Sequence, residues 1–70
     1  VSDLVKRSVS LSGHRTSIAL EPEFWAVLEE MAGLRSLASL IGEIDARRPP
    51  ERPLASALRV AVLAYARRAG

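Results

Sequence analysis

Two short runs of strict alternation dominate the first twenty residues of this chain. Ser8–Ser12 reads S-V-S-L-S and Thr16–Leu20 reads T-S-I-A-L, with Ser12-Gly13 at the junction. A period of two means that one face of each run is buried and the other is wet, as in a β-strand. Glycine tolerates the positive φ that a tight turn requires, so the two runs predict a hairpin. A two-residue turn at Ser12-Gly13 sets Leu11 opposite His14, Val9 opposite Thr16 and Arg7 opposite Ile18. Val9, Leu11, Thr16, Ile18 and Leu20 then share one face, and Ser8, Ser10, Ser12, Arg15, Ser17 and Ala19 the other. An isolated hairpin is barely stable in water, so this one needs a neighbour.

Glu21-Pro22 ends the alternation. Proline suits the first turn of a helix, and Glu21 and Glu23 suit the positive end of its dipole. Phe24, Val27, Leu28 and Met31 follow helical spacing, which predicts a helix over 22–33 that stops at Gly33. Trp25 flanks that stripe and reads as a partly buried packing residue rather than a ligand-stacking platform. Ser36 is the expected N-cap of a second helix over 36–47, whose stripe is Leu37, Leu40, Ile41 and Ile44. Pro49, Pro50 and Pro53 forbid continued helix. A third helix over 54–68 follows, with Leu54, Leu58, Ala61, Val62 and Tyr65 on one stripe and Val60 and Leu63 widening it. Such breadth predicts burial on more than one side.

The chain has 70 residues, which is one domain (1–70), and a domain of this size buries only about 60% of its unfolded surface. Small domains offset that with disulfides, metals or oligomerisation. Cysteine is absent and His14 is the one histidine, so disulfides are excluded and a metal site is not expected. Oligomerisation remains. Absent cysteine also fits a reducing cytoplasm. No apolar run reaches the roughly 20 residues of a membrane helix, and Val1–Arg7 lacks the apolar stretch of a signal peptide. Nine arginines to one lysine, with abundant alanine, lean towards a GC-rich bacterial genome.

The net charge of +2 conceals segregation. Lys6, Arg7 and Arg15 stand against Asp3 at the start, and Arg47, Arg48, Arg52, Arg59, Arg67 and Arg68 against Glu51 at the end. Between them lie Glu21, Glu23, Glu29, Glu30, Glu43 and Asp45 against Arg35 alone. This pattern points to a polyanion partner, or else to a mosaic of solvated charges. Glu29 and Glu30 read as solubilising residues on a wet helix face. The C-terminal arginines read as a solvated helix end complementing its own dipole, or as a further surface for such a polyanion.

Nucleophilic catalysis needs a base and an orienting acid, and Ser12 or Ser17 with His14 and a distant Asp45 makes no such arrangement. An enzyme is not expected, nor is a cofactor or a small-molecule ligand. His14 reads as a turn-adjacent polar residue or a phosphate contact, and Lys6 and Arg7 as contacts to flanking phosphates.

The string His14-Arg15-Thr16-Ser17-Ile18-Ala19-Leu20-Glu21-Pro22-Glu23-Phe24-Trp25, followed by Ser36–Asp45 and Leu54–Val60, resembles the ribbon-helix-helix DNA-binding family. More narrowly, it resembles a small bacterial subfamily with an extra C-terminal helix. The resemblance implies a mainly α fold with a short N-terminal β-ribbon, an intertwined homodimer, and strands of two subunits paired antiparallel. It implies that Arg15, Ser17 and Ala19 read bases in the major groove, while Thr16, Ile18 and Leu20 point inward. Ser36, with its neighbouring backbone N–H groups, would anchor a phosphate. Ile18, Leu20, Phe24, Leu28, Leu40, Ile41, Leu58 and Val62 would form the shared dimer core. The Val9–Leu11 run is additional, and would lie along the ribbon's flank or serve as an arm that orders on DNA.

The function expected on these grounds is a cytoplasmic, nucleoid-associated regulator of repressor type that binds double-stranded DNA through an intersubunit ribbon. Higher-order association on DNA is left open. The rival reading is a dimeric protein-binding adaptor of the same fold that docks a partner on its broad third helix.

Overall fold

The structure, a computed structural model, describes residues 3–70; the first two residues of the expected N-terminal arm lie outside the described residues. The element order is β1 (Val5–Leu11), β2 (His14–Leu20), α1 (Pro22–Ala32), α2 (Leu37–Arg47) and α3 (Leu54–Ala69). The fold is a two-stranded antiparallel β-ribbon followed by three helices, a ribbon-helix-helix arrangement with one helix added.

The ribbon has the register that the alternation predicts, with Leu11 opposite His14, Val9 opposite Thr16 and Arg7 opposite Ile18. Its turn takes positive φ at both central residues, 50° at Ser12 and 80° at Gly13, so its twist matches that of the strands. β1 begins at Val5, earlier than its clean alternation, and pairs along its whole length with β2. The Val9–Leu11 segment is therefore not a loose arm but part of a strand that lies along one edge of β2; the partner strand from a second subunit that the resemblance implies would take the other edge.

α1 starts on Pro22 and ends where Gly33 takes φ 61° and donates its N–H to the Glu29 carbonyl at 3.1 Å. Ser36 caps α2, its hydroxyl oxygen accepting the Ser39 N–H at 3.0 Å. In the proline-rich link, the Arg48 guanidinium donates to Asp45 Oδ1 and to the Arg52 carbonyl, both at 2.7 Å. That side chain fastens the end of α2 to the approach of α3.

The core lies between the underside of the ribbon and the helices. Leu20, Trp25, Leu28, Ile41 and Leu58 are its most deeply buried side chains, joined by Val9, Leu11, Ile18, Ala32, Leu40 and Val62. Seven of the eight residues expected in a core shared by two subunits (Ile18, Leu20, Leu28, Leu40, Ile41, Leu58 and Val62) are thus buried by one chain's own elements. Phe24 is the exception and is half-buried. The buried face of α1 is turned by one position from the expected stripe. It runs through Trp25, Leu28 and Ala32, while Phe24, Val27 and Met31 flank it. Trp25 is accordingly not the partly exposed flank that its place beside the stripe suggests; only 1% of it is exposed.

Candidate nucleic-acid interface

Strand parity decides which side chains the ribbon offers to the outside. Lys6, Ser8 and Ser10 from β1 and Arg15, Ser17 and Ala19 from β2 share the outer face, paired as Lys6 with Ala19, Ser8 with Ser17 and Ser10 with Arg15. All are exposed except Ala19, which is half-buried. Two strands lie about 4.8 Å apart, so the ribbon with its side chains is narrow enough for a major groove about 12 Å wide. Arg15 stands near the turn and Lys6 at the far end, a rise of four residues or roughly 14 Å along the strand. Neither takes part in the ion pairs formed among the described residues. Their charges are uncompensated within the fold.

The other sequence-derived candidates lie elsewhere. Arg7 has the parity of the inner face. Its guanidinium lies 4.8 Å from the Trp25 ring centroid and donates to Glu29 Oε2 at 2.6 Å. It braces the ribbon on α1 instead of standing beside Lys6. His14 shares that inner parity but projects past the core at the ribbon's tip, where it is exposed. Ser36 is exposed at the start of α2 with its hydroxyl oxygen engaged in the cap. The first N–H groups of that helix, at Leu37 and Ala38, are the kind that lack an intrahelical acceptor and receive phosphate oxygens.

Ser8 and Ser10 are outer-face residues that the strand pattern placed correctly but that carried no role in the sequence reading. Each stands beside an expected base reader, and their signal was the S-V-S-L-S alternation itself.

The charge segregation seen along the sequence is partly cancelled in space. Arg7 of the basic start pairs with Glu29, and Arg59 of the basic end pairs with Glu21 at 3.0 Å. Arg48 pairs with Asp45 at 2.7 Å. Glu30, read as solvated, accepts the Tyr65 hydroxyl at 3.0 Å, which pushes the Tyr65 pKa up, chiefly through that hydrogen bond. A bare count of cations therefore overstates the charge available to a polyanion. What remains on the ribbon is Lys6 and Arg15.

Among the described residues no group of His, Asp or Glu could hold a metal ion, and no helix is long and apolar enough to cross a membrane. No curated protein and no solved structure matches the chain. The ribbon-helix-helix domain family matches residues 4–66, which takes in both strands, α1, α2 and most of α3. The chain belongs to the ribbon-helix-helix family, whose members are generally DNA-binding transcription regulators.

Proposed function

We propose that this protein is a sequence-specific DNA-binding regulator of repressor type that acts as a homodimer in the cytoplasm and reads the major groove with its β-ribbon. The observation that carries this reading is the composition of the ribbon's outer face. It holds small polar side chains and two uncompensated cations, one at each end. Arg15 offers a planar guanidinium, which recognises guanine through O6 and N7. Ser17 can donate or accept at a base edge, and Ala19 can contact a thymine methyl. Lys6 neutralises a flanking phosphate, the N-terminus of α2 at Ser36 receives another, and His14 at the ribbon's tip suits a third.

The ribbon offered to the groove in this reading is the β1–β2 hairpin. Adding a second subunit's strands along the β2 edge would give four strands spanning roughly 14 Å between the outer backbones, too broad for the groove. Arg7 is assigned a supporting role, because its guanidinium is already stacked and paired beneath the ribbon. The chemistry is binding, not catalysis. Titration against a selected operator and against random duplex, at several salt concentrations, tests the reading. Preference for the operator, with a steep salt dependence, is the expected result. Absence of binding to either duplex by the folded protein would turn the assignment to the protein-binding adaptor, which the exposed apolar part of α3 favours.

A further inference from the structure

α2, the proline-rich link and α3 border an open groove of about 270 Å³. Ile44 from α2 and Ala57, Val60, Ala61 and Ala64 from α3 supply its apolar floor, which follows α3 for about two turns, roughly 10 Å. Its polar part is Arg47, Arg48 and Arg52. Arg48 is committed to Asp45 at 2.7 Å, whereas Arg47 and Arg52 are exposed and take part in none of the ion pairs among the described residues. No carboxylate among the described residues lines the groove. The link holds these cations in place. The Arg48 guanidinium donates to the Arg52 carbonyl at 2.7 Å, and the Arg52 N–H donates to the Pro49 carbonyl at 3.0 Å. Arg52 thus gives its backbone to the fold and keeps its side chain free, and a site fixed in advance loses less entropy on binding.

We infer that this groove receives an acidic amphipathic segment of a partner protein, with apolar side chains on the floor and carboxylates on Arg47 and Arg52. Exposure alone does not select the groove, since Leu4, Val5, Leu34 and Leu63 are exposed as well. The joining of an apolar floor to two free guanidiniums does, because it matches a helix that is apolar on one side and acidic along its border. Three alanines in the floor let a partner's backbone approach closely. Other occupants fit less well. A DNA duplex offers phosphates to the arginines but nothing apolar to cover Ile44 and Val60. A second copy meeting the groove about a two-fold axis would bring Arg47 and Arg52 towards their own counterparts, and like charges repel. A small carboxylate would stay largely in water, because the groove is open and smaller than the roughly 300 Å³ at which ligand pockets begin. No ribbon residue lines the groove, so the partner and the ribbon's own ligand are held at separate places.

The test is fluorescence anisotropy of the full chain with a labelled helical peptide of about three turns, carrying leucines on one face and glutamates beside them. A peptide with glutamine in place of each glutamate is the control. The acidic peptide is expected to bind saturably at micromolar concentration, and the control much more weakly. Arg47→Gln combined with Arg52→Gln is expected to weaken binding of the acidic peptide by about tenfold, and Val60→Glu to do so by a similar factor. Both side chains of the first variant are exposed and unpaired, so its helical circular dichroism should match the parent's. Arg15→Ala, on the ribbon, should leave the peptide affinity unchanged, which separates this site from the proposed DNA reading. Failure of the acidic peptide to bind, equal binding of the control, or full affinity in the arginine variant would each overturn the inference. A loss of affinity for random duplex in the arginine variant would assign the two cations to nucleic acid, and an altered sedimentation coefficient would assign the groove to a second copy; either result also overturns it.

Discussion

The indole Nε1–H of Trp25 donates to the backbone carbonyl of Val5 at 2.8 Å, joining the end of the first turn of α1 to the first residue of β1. A single side chain thus fills the core with its ring and holds the ribbon's end with its edge. Trp25→Phe keeps most of the ring and deletes the donor. The loss of one such bond is expected to cost about 0.5–1.5 kcal/mol, read from the urea midpoint. Amide exchange at the start of β1 should accelerate more than exchange in α2. An unchanged midpoint together with unchanged exchange would mean that the bond does not hold the strand.

Leu28 is fully buried, at the centre of the face that α1 turns to the core. Leu28→Ala is expected to cost roughly 2–5 kcal/mol, through lost transfer energy and the cavity left behind. In so small a domain that is a large share of the total stability, so thermal unfolding should move far down or lose cooperativity. A shift of only a degree or two would show that the site collapses around the smaller side chain.

The Glu21 carboxyl is held below its ordinary value of 4.5, first by a hydrogen bond from its own backbone N–H and then by Arg59. A depressed carboxyl pKa adds stability that is present above the unfolded value and lost as pH falls through the folded one. The stability difference between the parent and Glu21→Gln is therefore expected to be largest near neutral pH. It should shrink as pH falls below 4.5. Because the pair is at the surface, the effect is small, and denaturation curves compared at pH 7 and pH 3 are the measurement. A gap that stays constant between the two pH values would assign the effect of the substitution to something other than charge.

Much of the scaffold was legible because it rests on local rules. The hairpin register follows from two alternating runs around Ser12-Gly13, and the start and end of α1 from Pro22 and Gly33. What escaped was set by contacts distant in sequence. Stripes through Phe24, Val27, Leu28 and Met31, and through Trp25, Leu28 and Ala32, both obey helical spacing. The choice between them depends on where Val5 and Arg7 lie against the indole. The early part of β1 was hidden for the same reason, since Arg7 at an inner position breaks the alternation and is tolerated only because its guanidinium covers Trp25. On the candidate site, parity alone placed Arg15, Ser17 and Ala19 outward, but it could not show that Glu29 would claim Arg7.

The three basic residues of the ribbon are expected to respond differently to truncation, because each has different surroundings. Arg15 is exposed and unpaired within the fold, so Arg15→Ala should leave the unfolding midpoint almost unchanged. It should weaken specific binding by about 1–3 kcal/mol and relax the preference for one base pair. Lys6, at the opposite end of the same face, acts on phosphates. Lys6→Ala should lower affinity for operator and random duplex alike and make the salt slope shallower by about one unit. Arg7 lies beneath the ribbon, so Arg7→Ala should lower stability modestly through the lost packing on Trp25 and the lost pair with Glu29, while the operator preference survives. Ile18, buried directly opposite Arg7, should damage folding and binding together when cut to alanine. Titrations of all four variants at several salt concentrations, alongside urea unfolding, separate these outcomes. An Arg15→Ala protein that keeps full operator preference would remove the base-reading role from this face. An Arg7→Ala protein that loses it while staying as stable as the parent would place Arg7 on the DNA after all.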